Sequence, residues 1–293
     1  MTGFADRGAA PDSTVTYAFA VCRGEDASGA PLPEDASGPP LPPGLSAEAP
    51  VRELRFGALT AIVQEVPAAD FTEEVWRQRL SDRAEVERCA RAHHAVVTAV
   101  ACFRPTIPLA LCTLYRDDRR AVEALGRDEA RFAEVLDRVA GHVEWGVKVY
   151  VRPEEHTSGP DGATSATGAT TRPAPGTADR GSAGTPAPGA GRAYLAERRE
   201  RQRSRVRRHE ETLRDADVVD TTLRGLASAA RRLQPQHQEL TGDPRPQILN
   251  AAYLVAQERT AELSAAVTAL RRRVGAHIEV TGPWVPYSFA GEV

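Results

Sequence analysis

Aromatic side chains are scarce in this sequence. They make up 5% of its 293 residues, yet three of them fall within the short closing stretch Trp284–Phe289. Lysine is nearly absent as well, since Lys148 is the only lysine among 37 basic residues. Arginine and alanine usage of this kind is typical of GC-rich coding, so a cluster of arginines says little about function here. The formal net charge of −3 provides no global attraction to nucleic acid or to an anionic membrane.

Cysteines and long apolar runs are also limited. The four cysteines form no C-x-x-C pair, and three of them lie in apolar surroundings that are typical of reduced, buried thiols. No basic segment followed by an apolar one opens the chain, and no apolar run approaches the roughly 18 residues needed to cross a bilayer. These absences predict a cytoplasmic protein without membrane insertion.

Known catalytic and cofactor-binding motifs are missing. The sequence has no phosphate-cradling glycine loop after a strand, no G-x-S-x-G and no H-E-x-x-H. Cys89 and His93 share a helix face and could supply half a metal site, but no second pair with ligand spacing follows. We interpret them as a buried thiol beside a histidine. The sequence therefore predicts no catalytic residues, no metal and no cofactor, and a protein that is not an enzyme.

Two stretches of low complexity divide the chain. Residues 24–50 and 153–191 are rich in Pro, Gly and Ala and contain few large apolar side chains, so burial cannot offset the entropy of ordering them. The first predicts a disordered loop insertion and the second a disordered interdomain linker. The predicted N-terminal domain spans 14–152 and the predicted C-terminal domain spans 192–293.

Strands and helices alternate in the predicted N-terminal domain. Period-2 alternation places four apolar side chains on one side of its first strand: Val15, Tyr17, Phe19 and Val21. The predicted elements that follow are two strand pieces around Gly57, a helix over 71–103 with a break near Ser81, a strand at 107–115, one or two helices over 117–140 and a strand at Glu144–Val151. This order predicts an α+β fold with a split β-α-β sheet of ferredoxin-like type.

Long helices distinguish the predicted C-terminal α+β domain. A helical stripe with spacings of three and four residues begins at Leu213, after a nearly all-charged run at Glu197–Glu211. That run contains seven arginines and four glutamates but no aromatics for base stacking. It therefore favours a solvated helix face over a nucleic-acid patch. Docking of an acidic protein surface stays open. A strand, a helix over 258–274 and a final irregular strand follow, an order that makes a duplicated module an open alternative.

The closing stretch "GPWVPYSF" allows two interpretations. Its aromatics, Trp284, Tyr287 and Phe289, seal the core of the second domain, or they contact a partner from a backbone stiffened by prolines. Aromatic side chains on a stiff support are good interface anchors. Both roles are compatible if one face of the stretch is buried and the other is exposed to a partner. Two aromatics of the upstream strand, Trp145 and Tyr150, are further candidates for partner binding.

Four ordered segments resemble the gas vesicle protein F/L family (GvpF and GvpL). "EWGVKVYV" at Glu144–Val151 is similar to a strand of that family, and "AYLAERRERQR" from Ala193 resembles the start of its second half. "ILNAAYLV" at Ile248–Val255 and "GPWVPYSF" resemble two further family segments, with Val285 where the family usually has proline. The segment at 104–115 departs from the family, because Leu109–Cys112 stand where its members have an arginine and a glycine.

This resemblance implies an accessory protein of gas vesicle formation, located at the gas vesicle and in the cytoplasm. It implies two α+β domains, the first ferredoxin-like and the second largely helical. Expected partners are the small hydrophobic shell protein and other accessory proteins, bound through exposed residues of the first sheet and the terminal aromatics. An alternative function is a small-molecule-binding regulatory sensor with paired ferredoxin-like domains. An RNA-binding module ranks third, because Tyr17 and Phe19 point inward together and leave little sheet surface for stacking.

Overall fold

The computed structural model describes residues 13–24, 41–151, 190–234 and 245–291. The predicted loop insertion at 24–50 lies outside the described residues except for Gly24 and residues 41–50. The predicted linker at 153–191 lies outside them except for its last two residues, which begin a helix.

The first sheet is antiparallel with the strand order β2-β3-β1-β4, and β5 also pairs with β1. Gly57 turns the chain between β2 and β3 with φ of 54°, a left-handed conformation that favours glycine. The strands are β1 (Thr14–Arg23), β2 (Arg52–Phe56), β3 (Leu59–Pro67), β4 (Thr106–Pro108) and β5 (Leu114–Tyr115). The single strand predicted at 107–115 is therefore wrong: β4 and β5 are separate, and the chain turns between them.

Four helices belong to the first sheet. Thr72, Asp82 and Asp117 cap three of them by accepting hydrogen bonds from backbone N–H groups of the first turn. The cap at Asp82 explains the predicted interruption near Ser81, since a new helix starts there. The helices are α1 (Glu73–Ser81), α2 (Arg83–Ala101), α3 (Asp118–Arg127) and α4 (Glu129–Val139), preceded by a 3₁₀ helix at Ala68–Phe71.

The second sheet is also antiparallel, with the order β7-β8-β6-β9. Its strands are β6 (His142–Tyr150), β7 (Ala229–Arg232), β8 (Gln247–Ala256) and β9 (His277–Trp284). Its helices are α5 (Ala190–Arg224), α6 (Thr260–Arg273) and α7 (Tyr287–Ala290), with a 3₁₀ helix at Gln257–Arg259 before α6. We call the first sheet with its helices the N-terminal module and the second sheet with its helices the C-terminal module.

The strand β6 corrects the predicted membership of the first sheet. The sequence placed Glu144–Val151 in the N-terminal domain because it precedes the low-complexity stretch. In the structure β6 is a central strand of the second sheet, paired with β8 along its whole length and with β9 on its other side. Trp145, Val147 and Val149 pack in the core of that sheet. The stretch 153–191 thus connects two elements of the C-terminal module, β6 and α5.

The two sheets repeat one chain order. In the N-terminal module β1, β2, β3, helices and β4 follow one another, and in the C-terminal module β6, β7, β8, helix α6 and β9 do so. The two neighbours of β1, β3 and β4, are both antiparallel to it, and the two neighbours of β6, β8 and β9, are antiparallel to β6. Each sheet therefore has a split β-α-β arrangement. The duplicated order that the sequence left open is present, with β6 equivalent to β1. The ferredoxin-like classification stays a prediction.

One shared core joins the modules. It combines β1 residues Ala18 and Val21 with Phe132 of α4 and with Ala252 and Leu254 of β8. Helices α3 and α4 contribute Leu125, Leu136 and Val139 to the same cluster.

A bulge in β1 decides which of its side chains enter that shared core. The register shifts between Ala18 and Ala20. Tyr17 and Phe19 share one face, as predicted, and pack against α2, whereas Val21 packs on the opposite face. The predicted placement of Val21 on the same side as Tyr17 and Phe19 is wrong, because the extra residue of a bulge inverts the alternation that follows it.

The buried amide of Gln64 holds the described residues 41–50 against β3. Its Oε1 accepts a hydrogen bond from the backbone N–H of Leu45 at 2.8 Å, and its Nε2 lies 2.7 Å from the carbonyl oxygens of Pro43, Ser46 and Ala49. One side chain thus satisfies the backbone polar groups of a segment without regular structure.

Replacing Gln64 by leucine is expected to destabilise the fold by about 1–3 kcal/mol, because buried backbone groups lose their partners. Hydrogen–deuterium exchange should speed up at Leu45 and Ser46 while β8 stays protected. Gln78→Leu, at a position exposed on α1, is the control and should leave this exchange unchanged. Unaltered protection of residues 41–50 in Gln64→Leu would contradict the role of the amide.

Candidate partner-binding surface

The closing part of the described chain crosses from the second sheet to the first module. We call Gly282–Ala290 the terminal segment. It leaves the sheet after Trp284, where Pro286 has no N–H to donate to a ladder, and ends in the single turn of α7. Val285 packs in the core beneath α2, while Phe289 and Ala290 pack in the shared core.

Polar contacts fasten the terminal segment to β6, β7 and α4. The Glu144 carboxylate accepts hydrogen bonds from the backbone N–H and the hydroxyl of Ser288 at 2.7 and 2.6 Å. Arg231 donates to the carbonyl of Ser288 at 2.6 Å, and Arg138 donates to the carbonyl of Phe289 at 3.1 Å. Burial raises the pKa of Glu144, although the hydrogen bonds from Ser288 and the charge of Arg231 oppose the shift.

An aromatic contact with α2 continues this attachment. His94 Nδ1 lies 3.1 Å from the hydroxyl of Tyr287, and His94 Nε2 lies 3.3 Å from the hydroxyl of Thr98. The Trp284 ring meets the His94 ring edge-on, with centroids 5.6 Å apart. The indole is thus held from one side while the rest of it faces solvent.

The five aromatic residues predicted for partner binding divide into two groups. Trp145, Tyr150 and Phe289 are buried, so their side chains stabilise the core and offer no free surface. Trp284 is 44% exposed and Tyr287 is half-buried. The terminal segment therefore stays a candidate surface through Trp284 and Tyr287, whereas the other three side chains belong to the interior.

Exposed residues of the first sheet do not form the expected second surface. The strands β1 and β3 are buried on both faces, because α2 covers one face and α4 the other. The sequence did not predict this, because the covering of a sheet face depends on residues far apart in the chain.

A groove lies beside Trp284 at the meeting of the two modules. It has a volume of about 420 Å³. Its walls come from the end of α2, the start of β6 and the terminal segment, and they include Cys102, Phe103, His142, Val143, Pro283 and Trp284. Phe103 is 41% exposed. Sequence reasoning missed Phe103, because the pattern of an apolar residue that follows a helical stripe does not distinguish an exposed position from a core position.

The histidine and cysteine pair weighed as half a metal site is part of the core. Cys89 and His93 are both buried, and His93 Nδ1 lies 2.8 Å from the hydroxyl of Tyr17. Burial lowers the pKa of His93 to about 4, so the ring is neutral near pH 7. Among the residues that the structure describes, no three His, Cys, Asp or Glu side chains come together as a metal site.

The fold and the surface together define a class of protein. It is an α+β protein with two split β-α-β sheets, which its own C-terminal segment locks together beside an apolar groove. In the described part of the chain, every helix is too short or too polar to cross a membrane.

Comparison with known proteins identifies the family. The family model described as "Gas vesicle synthesis protein GvpL/GvpF" matches residues 15–291. Gas vesicle protein L of Streptomyces sp. (strain CB03234) is 36% identical over 275 residues, which cover 94% of this chain and 92% of that protein. The chain therefore belongs to the GvpL/GvpF family of gas vesicle proteins, as the resemblance in its sequence implied.

Two solved structures share the fold. The crystal structure of GvpF from Anabaena sp. PCC7120 has a TM-score of 0.59 at 18% identity and covers 95% of this chain and 96% of its own. The structure of GvpF from Microcystis aeruginosa has a TM-score of 0.54 at 15% identity and covers 94% and 98% of the two chains.

Proposed function

We propose that this protein is an accessory protein of gas vesicle assembly that binds the hydrophobic shell protein and other accessory proteins. The observation that supports binding most directly is the pair of exposed aromatics, Phe103 and Trp284, that line one groove. Exposed apolar groups that are clustered and rimmed by polar residues mark interaction sites more often than single exposed ones do. We place the protein in the cytoplasm at the gas vesicle and assign it no catalytic residue.

The groove suits an apolar side chain or a short apolar segment. Trp284 is braced by His94, and the neighbouring Pro283 restricts the backbone, so little side-chain entropy is lost when a partner binds. An aromatic anchor beside a pocket is the usual form of a binding hot spot. Trp145 and Phe289 take part in this proposal as packed support of the terminal segment, whereas Tyr150 lies at the other end of β6, beside His277.

Carrier function requires binding that is reversible. A shell protein with exposed apolar surface self-associates when it is free, so masking part of that surface delays aggregation. A groove of about 420 Å³ accommodates only a few side chains. A contact limited to this groove would bury little surface, and interfaces that bury little surface belong to the weak, transient class.

The double replacement Trp284→Ala with Phe103→Ala tests this proposal. Co-purification of the full chain with co-expressed shell protein should fall at least about tenfold, equivalent to about 1.4 kcal/mol of binding free energy. Thermal unfolding should barely change, because both side chains are exposed.

Leu233→Ala is the matched control, since Leu233 is also exposed but does not line the groove. It should leave co-purification unchanged. Retention of the shell protein by the double variant at the wild-type level would refute groove binding.

The alternative function, a small-molecule sensor, is supported by the volume of the groove. About 420 Å³ lies within the range of ligand sites, and such sites often lie between domains. A ligand at 100 times its dissociation constant would stabilise the fold by about 2.7 kcal/mol. Thermal-shift screening of metabolites distinguishes the two functions, because a stabilising ligand lost in Trp284→Ala favours the sensor.

A further inference from the structure

The helix α5 extends far beyond the body of the C-terminal module. Its 35 residues span about 52 Å. Among its residues whose exposure is described, the buried side chains lie in the last 13 residues: Thr212, Ala216, Val219, Asp220 and Leu223. From Leu195 to Glu211 no side chain whose exposure is described is buried. We call this stretch the projecting half of α5.

Three exposed apolar residues of α5 form one straight line. Leu195, Val206 and Leu213 are 52%, 49% and 44% exposed. Leu195 and Leu213 are 18 residues apart, which is five helical turns, and Val206 lies within about 20° of the line that joins them. We call this line the α5 seam. Spacings of 11 and 7 residues are those of helix-pairing positions, whereas a solvated helix face needs no apolar residues at all.

Positive charge flanks the seam. The run Glu197–Glu211 has a net charge of +3, from seven arginines and four glutamates. Four of the arginines lie within about 80° of the seam: Arg198, Arg199, Arg203 and Arg205. Among the described glutamates of the run, only Glu210 lies in that arc. The positions beside the seam, which in paired helices determine which partner binds, are therefore mostly basic.

From the seam and its flanking charges we infer that the projecting half of α5 docks an acidic amphipathic helix of another protein. The partner helix contributes apolar residues to the seam and carboxylates opposite the flanking arginines. A second copy of this chain does not fit, because pairing two such faces would oppose arginine to arginine and like charges repel across an interface. This site goes beyond the proposed function, since the seam includes neither Phe103 nor Trp284.

Binding of designed peptides to the full-length protein tests the inference. The acidic probe is a four-heptad helix with leucine at a and d and glutamate at e and g, long enough for the roughly 27 Å between Leu195 and Leu213. The control peptide has lysine at e and g. Fluorescence anisotropy should show saturable binding of the acidic peptide and at least about tenfold weaker binding of the basic one.

Variants of α5 separate seam docking from general attraction of anions. The double replacement Leu195→Gln with Val206→Gln should weaken binding of the acidic peptide at least about tenfold, because glutamine preserves helix propensity but removes the apolar seam. Val218→Gln is the matched control, since Val218 is 36% exposed on the same helix but about 120° away from Val206. It should bind like the wild type.

A charge-matched pair of variants tests the flanks. Arg199→Glu lies beside the seam and should weaken binding about three- to tenfold, whereas Arg207→Glu, about 100° from Val206, should weaken it less than twofold. Equal losses in the two variants, or full competition by single-stranded RNA, would mean non-specific polyanion binding and overturn the inference.

Two further outcomes bear on the inference. A dimer in light scattering that Leu195→Gln with Val206→Gln dissociates would overturn the inference in favour of a second copy as the occupant. The variant Trp284→Ala should bind the acidic peptide normally. A failure of the groove proposal and a failure of the α5 seam inference are therefore distinguishable.

Discussion

Replacing Phe289 by alanine is expected to destabilise the protein by about 3–5 kcal/mol, the usual effect of deleting a fully packed aromatic ring. The ring is 4% exposed and packs in the core that contains Ala18 of the first sheet and Leu254 of the second. The cavity therefore opens where the two modules meet, and neither can close it without moving the other. Urea unfolding monitored by circular dichroism gives the free energy.

Phe103→Ala is the matched control for this loss. It removes the same side chain from a position that is 41% exposed, so the free energy of unfolding should change by no more than about 0.5 kcal/mol. If Phe289→Ala cost less than about 1 kcal/mol, the terminal segment would not be a structural lock between the modules.

Replacing Asp220 by alanine is expected to cost about 2–4 kcal/mol near pH 7. Asp220 is 4% exposed and accepts hydrogen bonds from the Tyr253 hydroxyl at 2.7 Å, from Arg224 at 2.9 Å and from Arg232 at 2.7 Å. Its loss leaves the buried hydroxyl of Tyr253 without an acceptor. Asp217→Ala is the control, because Asp217 also lies near Arg232, at 3.7 Å, but its side chain is 78% exposed.

The same carboxylate predicts a pH dependence of stability. Burial raises the pKa of Asp220, but the hydrogen bonds from Arg232, Tyr253 and Arg224 outweigh burial and leave the pKa below its usual value. A lowered pKa in the folded state stabilises the fold above the unfolded pKa of about 3.9, and this stabilisation is lost as the pH falls through the folded pKa.

The stability difference between wild type and Asp220→Asn should therefore shrink as the pH is lowered from about 5 toward 2. Chemical unfolding at a series of pH values measures it. A difference that grew toward low pH would show that Asp220 is not held ionised by its three donors.

Local signals in the sequence predicted most helices and strands correctly. The caps at Thr72 and Asp82, the turn at Gly57 and the apolar spacing of α6 depend on residues that are neighbours in the chain. The bulge in β1 could not be predicted in this way, because it depends on the register with β3. The separation of β4 from β5 was not predicted for a similar reason, since an apolar run alone does not show where a chain turns.

The sequence did not predict which of the aromatic residues are exposed. Trp145 and Trp284 belong to adjacent strands and resemble one another as candidates, yet Trp145 is 9% exposed and Trp284 is 44% exposed. The difference arises because Trp145 packs beneath the helices of its sheet, whereas Trp284 stands at the end of β9 against His94. Phe103 could not be predicted as a surface residue either, because only the fold brings it to the same groove as Trp284.

The sequence by itself determined the family and most of the helices and strands, since these depend on short spacings and on characteristic segments of the chain. Only the tertiary structure decided that β6 joins the second sheet, that two helical layers cover the first, and that three of five candidate aromatics are buried. Strand pairing and burial depend on residues far apart in the chain, and no local pattern states which distant surface will cover a given side chain.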